Sequence, residues 1–164
     1  MCEFDMTQTS TIALQLGTDL REDIVGRTYF LSSDVALLSP FVDHLMRSIN
    51  GLRVMDGAEV DIEVALREAL LNAIIHGNRE DPCKHVYVTI FCGADGEVSI
   101  VIRDEGVGFE SRSIPDPTAP EHLMSTHGRG IYLMRALMDE VSFEEGGTVV
   151  YMCKRPGSTA YRPH

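Results

Sequence analysis

The pattern of this 164-residue chain predicts an α+β fold, a two-layer α/β sandwich with one mixed, mostly antiparallel sheet and helices on one face. Three observations point there. Alternating apolar runs come in pairs joined by glycine turns, at residues 86–92 and 98–103 and again at 141–144 and 148–154. Segments of helical period lie before and between the pairs, around residues 39–50, 58–76 and 130–140. The middle segment is apolar around much of its circumference, as a helix lying on a sheet must be.

Each element has its own signature. Residues 1–26 read as a tail or an added strand, with Ile12, Leu14 and Leu16 alternating against Ala13 and Gln15. The folded domain is expected over 27–155, and 156–164 is a C-terminal tail. Arg27, Thr28, Tyr29, Phe30 and Leu31 form a strand, ended by Ser32, Ser33 and Asp34, which can cap a helix. Val42, Leu45, Met46 and Ile49 keep helical spacing in that helix, and Gly51 suits its stop. Pro40 moves the expected start to Ser39. In the helix over 58–76, Glu59, Glu63 and Arg67 share the wet side, with Glu63 placed to pair with Arg67. Val60, Val64, Leu71 and Ile75 track one expected buried stripe; Leu66, Leu70 and Ala73 line another. Gly93-Ala-Asp-Gly96 turns the first hairpin and Glu145-Gly-Gly147 the second. Residues 110–126, with Pro115, Pro117 and Pro120, read as an exposed loop. The last helix carries Ile131, Met134, Leu137 and Met138 on one side.

Bulk composition narrows the function classes. Hydrophobic residues at 44% and charged residues at 24% suit a single soluble domain. A formal charge of −11 disfavours nucleic acid or an anionic membrane as the main partner. It leaves room for ATP, because backbone N–H groups and one arginine can make a site locally positive. Cys2, Cys83, Cys92 and Cys153 show no C-x-x-C spacing and read as reduced thiols. Without a long apolar run or a leader pattern, a cytoplasmic location is expected.

Three clusters carry chemistry. In Glu68-Ala-Leu-Leu-Asn72, helical spacing stacks Glu68, Asn72 and His76 in one column. A carboxylate there can take a proton, and an amide oxygen can hold Mg²⁺, which needs only one or two protein ligands beside phosphate oxygens. Taken alone, such residues more often simply face solvent; here Glu59, Glu63 and Arg67 already occupy the wet side. Asp104 ends the strand of Val98, Ile100 and Ile102, and Gly106 and Gly108 follow it. Glycines let a flat ligand approach the backbone, and the acid can accept the exocyclic amine of adenine. An Asx-type turn is the plain alternative. Gly128-Arg129-Gly130 is expected just before a helix, where N–H groups and Arg129 favour phosphate; a glycine hinge would read the same.

In this order the three clusters resemble the ATPase fold of sensor histidine kinases, gyrase B and the heat-shock chaperone ATPases, the Bergerat or histidine-kinase-like fold. More closely, the chain resembles bacterial anti-sigma factor serine/threonine kinases over residues 30–154. The stretches that carry this are residues 68–78, Asp104 to Phe109, Asp116-Pro-Thr-Ala-Pro-Glu121 and the run from Gly128-Arg-Gly130 to Asp139-Glu140. The resemblance implies that Glu68 is the base, Asn72 the Mg²⁺ ligand and Asp104 the adenine partner, with Gly106 and Gly108 shaping the pocket. Residues 110–127 would be the ATP lid. Gly128, Arg129 and Gly130 would meet the phosphates, Arg129 near the γ-phosphate, and His76 would border the nucleotide. Ile75 stands where sensor kinases often place a basic residue, which shifts weight onto Arg129. The implied partners are a small antagonist (anti-anti-sigma, STAS-type) protein and a sigma factor, with ATP and Mg²⁺ as cofactors and a homodimer as the assembly.

Three functions are open at this level. One is a kinase that phosphorylates the antagonist on Ser or Thr and sequesters the sigma factor. Another is a nucleotide-gated, non-catalytic partner-binding module acting on a non-sigma target. A detached histidine-kinase catalytic domain is the third, and it lacks the long helical hairpin that would present a histidine such as His44.

Overall fold

The computed structural model describes residues 25–50, 57–108 and 126–158. The strand expected around Ile12, the stop at Gly51 and the loop over 110–125 lie outside them. Five strands, β1 (Val25–Ser32), β2 (His85–Cys92), β3 (Val98–Asp104), β4 (Glu140–Glu144) and β5 (Val149–Lys154), build one sheet in the order β1-β2-β3-β5-β4. Every pairing among them is antiparallel. Three α-helices, α1 (Leu38–Asn50), α2 (Glu59–Leu71) and α3 (Thr126–Leu137), make the second layer.

Strand alternation decides which face is covered. Ile90 sits opposite Ile100, Ile100 opposite Met152, and Met152 opposite Val141, giving one apolar row across the sheet. Val88, Ile102, Val150 and Phe143 form the next row. These residues join the core beneath the helices. Asp104 continues the alternation of Val98, Ile100 and Ile102, so it emerges on the helix-covered face where that face ends.

Helix α2 lies between α1 and α3. Its buried arc is Ile62, Ala65, Leu66, Ala69 and Leu70, continued by Ala73 and Ile74. The expected stripe of Val60, Val64, Leu71 and Ile75 is corrected: Val60 is 72% exposed and Ile75 36%, while Val64 and Leu71 are half-buried. With apolar residues on nearly every side, periodicity alone could not choose the arc; the sheet below and the helices at each flank choose it. The stripe of Leu66, Leu70 and Ala73 is buried as expected. On the wetter side Glu63 accepts from Arg67 at 2.9 and 3.0 Å, and Arg67 reaches Ser39 and Asp43 on α1.

Element boundaries follow local chemistry. Asp34 accepts from the Ala36 N–H at 2.8 Å and caps a short 3₁₀ turn that leads into α1. Pro40 is the third residue of α1, inside the first turn, where its missing N–H costs nothing. Helix α3 begins at Thr126, earlier than the expected Gly130. Its Met134 is fully buried, and Met138 just beyond its end is nearly so. The buried Lys154, last residue of β5, donates to Asp61 at 3.1 Å and to the Leu137 carbonyl at 2.7 Å. One ammonium thus ties the sheet to the start of α2 and the end of α3.

The helix expected over 58–76 is α-helical only to Leu71. Asn72–Gly77 form a π-helical turn, with the Asn78 N–H bonded to the Ala73 carbonyl at 2.8 Å. Arg79 and Glu80 follow at φ 58 and 54, left-handed positions that reverse the chain toward β2. Such turns concentrate at functional sites.

Candidate functional site

The π turn begins at Asn72 and ends at Gly77, and a cluster of candidate residues sits at each end. At the first end, α2 presents Glu68 and Asn72 to the first turns of α3. A β-carbon built at Gly130 would lie 2.7 Å from Glu68 Oε2, 3.6 Å from Asn72 Nδ2 and 3.7 Å from Asn72 Oδ1. A side chain at Gly130 would displace the Glu68 carboxylate. A carboxylate and an amide therefore meet α3 at its fifth residue, one turn from its start. Gly128 and Arg129 belong to that first part of α3 instead of preceding it, and Arg129 is exposed.

At the second end, Asp104 meets Gly77. A β-carbon on Gly77 would fall 2.6 Å from each Asp104 carboxylate oxygen. One on Gly106 would strike the Gly77 carbonyl. Asp104 Oδ1 accepts from the Gly106 N–H at 2.8 Å, so the Asx-type turn exists here. It does not consume the carboxylate, which keeps a second oxygen. Burial raises the Asp104 carboxyl above the usual carboxylate range, opposed by the Gly106 N–H and the charge of Lys84. Gly108, at φ 75, packs on the Gly146 carbonyl of the β4–β5 turn. The β4–β5 turn thereby packs against the loop that follows β3. Arg103, next to Asp104, is fixed to that turn by two bonds to Glu145 at 2.6 and 2.7 Å.

His76 falls within the π turn and not in α2. It lies exposed. The lid expected over 110–127 lies outside the described residues except for Thr126 and His127, which are helical. Gly77 and Asn78 went without a role in the sequence reading. Gly77 was detectable only as a glycine at a helix end, and the burial of Asn78 has no local sequence signal.

A hard amide oxygen near a helix start suits Mg²⁺ with a triphosphate: Asn72 would offer the protein ligand, phosphate oxygens and water would complete the shell, and the Glu68 carboxylate stays free beside it. No cluster of three or more His, Cys, Asp or Glu side chains suited to a metal occurs among the described residues, so an all-protein metal cage is not what they build. No described helix is long and apolar enough to cross a membrane.

Comparison with known proteins identifies the family. The profile of the histidine kinase-like ATPase domain matches residues 31–154. The anti-sigma F factor of Geobacillus thermodenitrificans (strain NG80-2) is 35% identical over 127 residues, covering 73% of this chain and 75% of that protein. Its counterpart in Heyndrickxia coagulans is 38% identical over 99 residues, covering 56% and 66%. The one in Geobacillus stearothermophilus is 39% identical over 101 residues, covering 57% and 67%. With its α+β sandwich and a profile match over most of its length, the chain belongs to the histidine kinase-like ATPase family, among its anti-sigma factors.

Proposed function

We propose that this chain is an ATP-dependent protein serine/threonine kinase and anti-sigma regulator that phosphorylates a small antagonist protein and sequesters a sigma factor. The observation that carries this reading is the convergence of Glu68 and Asn72 on Gly130 in the first turns of α3. A phosphate held at the helix start would lie beside a carboxylate able to accept the proton of an incoming serine or threonine hydroxyl. Arg129 and the N–H groups of that turn offset phosphate charge. Bound Mg²⁺, held by Asn72, would supply further neutralisation of the phosphate oxygens. Asp104, seated against Gly77, would accept the adenine amine, and Gly106, Gly108 and His76 would border the nucleotide. The relatives' name, anti-sigma F factor, supports a sigma factor as partner; the antagonist comes from the implied partner switch, and a cytoplasmic homodimer fits that role.

The test is labelling. Purified protein with Mg²⁺ and γ-labelled ATP should phosphorylate its small antagonist protein, and Glu68→Ala should abolish the label. No labelling of that antagonist would sink the kinase. Intact nucleotide and partner binding with no transfer would favour the nucleotide-gated, non-catalytic module acting on a non-sigma target.

A further inference from the structure

Asn78 is fully buried, and its amide uses both kinds of hydrogen-bonding group. Its Nδ2 donates to Ser33 Oγ at 2.7 Å and to the His85 carbonyl at 2.9 Å. Its Oδ1 accepts from the Glu105 N–H at 2.8 Å. One side chain therefore joins the end of β1, the start of β2 and the residue directly after Asp104. From the other side the Glu105 carboxylate accepts from the His85 N–H at 2.7 Å and from the Tyr87 hydroxyl at 3.1 Å. The Glu105 backbone is held from inside and its side chain from outside.

We propose that Asn78 and Glu105 form a two-sided clamp that positions the turn over residues 104–106 and so sets the base selectivity of the nucleotide site. This rests on the nucleotide reading above. The clamp matters because the turn is tightly packed: a β-carbon on Gly106 would strike the Gly77 carbonyl, and one on Gly77 would meet the Asp104 carboxylate. A bond from the adenine amine to Asp104 needs about 2.7–3.2 Å. Displacement of the turn by about 1 Å would lose it, an error large enough to matter in any preorganised site. Asn78 and Glu105 are positioning residues acting through Asp104, with no contact to the ligand required of either.

Calorimetric titration with ATP and with GTP tests this on the full chain and its variants Asn78→Ala, Glu105→Ala, Asp104→Asn and the double variant Asn78→Ala/Asp104→Asn. For wild type, ATP should bind more tightly than GTP. Asn78→Ala should weaken ATP by about tenfold or more and GTP far less, since the lost bond serves only the amine contact. Glu105→Ala, an exposed change, should shrink the ATP/GTP ratio by about two- to fivefold. In the Asp104→Asn background Asn78→Ala should leave the ratio unmoved. A purely structural Asn78 would lower the melting temperature while the folded fraction kept wild-type selectivity, and that outcome overturns the clamp. If Asn78→Ala does not fold, wild-type selectivity in Glu105→Ala overturns it equally. A wild-type protein that ignores adenine nucleotides defeats the nucleotide reading itself, and the clamp with it; ATP preference left unchanged in the variants defeats the clamp alone.

Discussion

At Glu68 a single atom separates binding from chemistry. Glu68→Gln keeps the side-chain volume that rests on Gly130 and removes the proton acceptor. Transfer to the antagonist should fall by about 10²–10⁴-fold, with ATP affinity within a few-fold of wild type; single-turnover labelling and titration read the two separately. Gly77→Ala makes the opposite kind of change, because its methyl would collide with the Asp104 carboxylate. A loss of about 1–3 kcal/mol in stability is expected from such overpacking, together with weaker ATP binding. Wild-type melting and affinity would show that the turn relaxes freely. Asp104 also predicts a pH dependence. Its folded-state pKa is raised by burial, so the folded protein binds that proton more tightly than the unfolded chain. Its contribution to stability therefore increases as pH falls through the raised value and is lost as pH rises. ATP affinity runs the other way, since the adenine amine needs the ionised acid. Acidification should weaken ATP binding from a pH nearer neutrality than for an ordinary carboxylate, and Asp104→Asn should flatten that part of the profile.

Among the elements, α2 shows where pattern reading succeeds and stops. Glu63 and Arg67 pair as their spacing requires, and Leu66, Leu70 and Ala73 are buried. Val60 and Ile75 fell on the wrong stripe because an apolar helix offers more than one hydrophobic face. The π turn at Asn72–Gly77 was invisible because its cause is tertiary: Gly77 must reach Asp104, and Asn78 must reach three separate strand ends or turns. The early start of α3 has the same origin, in the seat that Gly130 takes on Glu68. Lys154 gives the element-scale prediction. Its ammonium is buried, while Asp61 keeps 23% side-chain exposure. Lys154→Met should cost about 3 kcal/mol, toward the lower end for a broken buried pair, because Asp61 can recruit water. Adding Asp61→Leu should recover much of that in a double-mutant cycle read by denaturant unfolding. A cost under about 1 kcal/mol for the single change would show that the tie is unimportant.

For the whole molecule, the proposed site spans both layers: Glu68, Asn72 and Gly130 belong to the helix layer, and Asp104, against Gly77, ends a strand of the sheet. Nucleotide binding should therefore act as a bridge between the layers and stabilise the fold by mass action. At a concentration about 100 times Kd the gain is about 2.7 kcal/mol. Thermal melts should rise with ATP and Mg²⁺ and rise much less with GTP at the same concentration. Equal shifts with both would remove the adenine role assigned to Asp104. The net charge of −11 makes the local placement of Arg129 and the α3 start matter, because the rest of the surface repels a triphosphate. Affinity should consequently improve at moderate ionic strength in the Asp and Glu surroundings, before screening of the phosphate contacts takes over.

What the residue order determined unaided was the α+β class, the pairing of strands into hairpins and the identity of Glu68, Asn72 and Asp104 as candidates. Those follow from period, turn chemistry and motif spacing, all of which are local along the chain. Only tertiary structure decided which side of α2 is buried, where its last turn widens, and that Gly77 and Asn78 belong beside the candidates. Close approach between segments far apart in sequence leaves no periodic trace, and a buried amide looks like any other asparagine until its partners are in place.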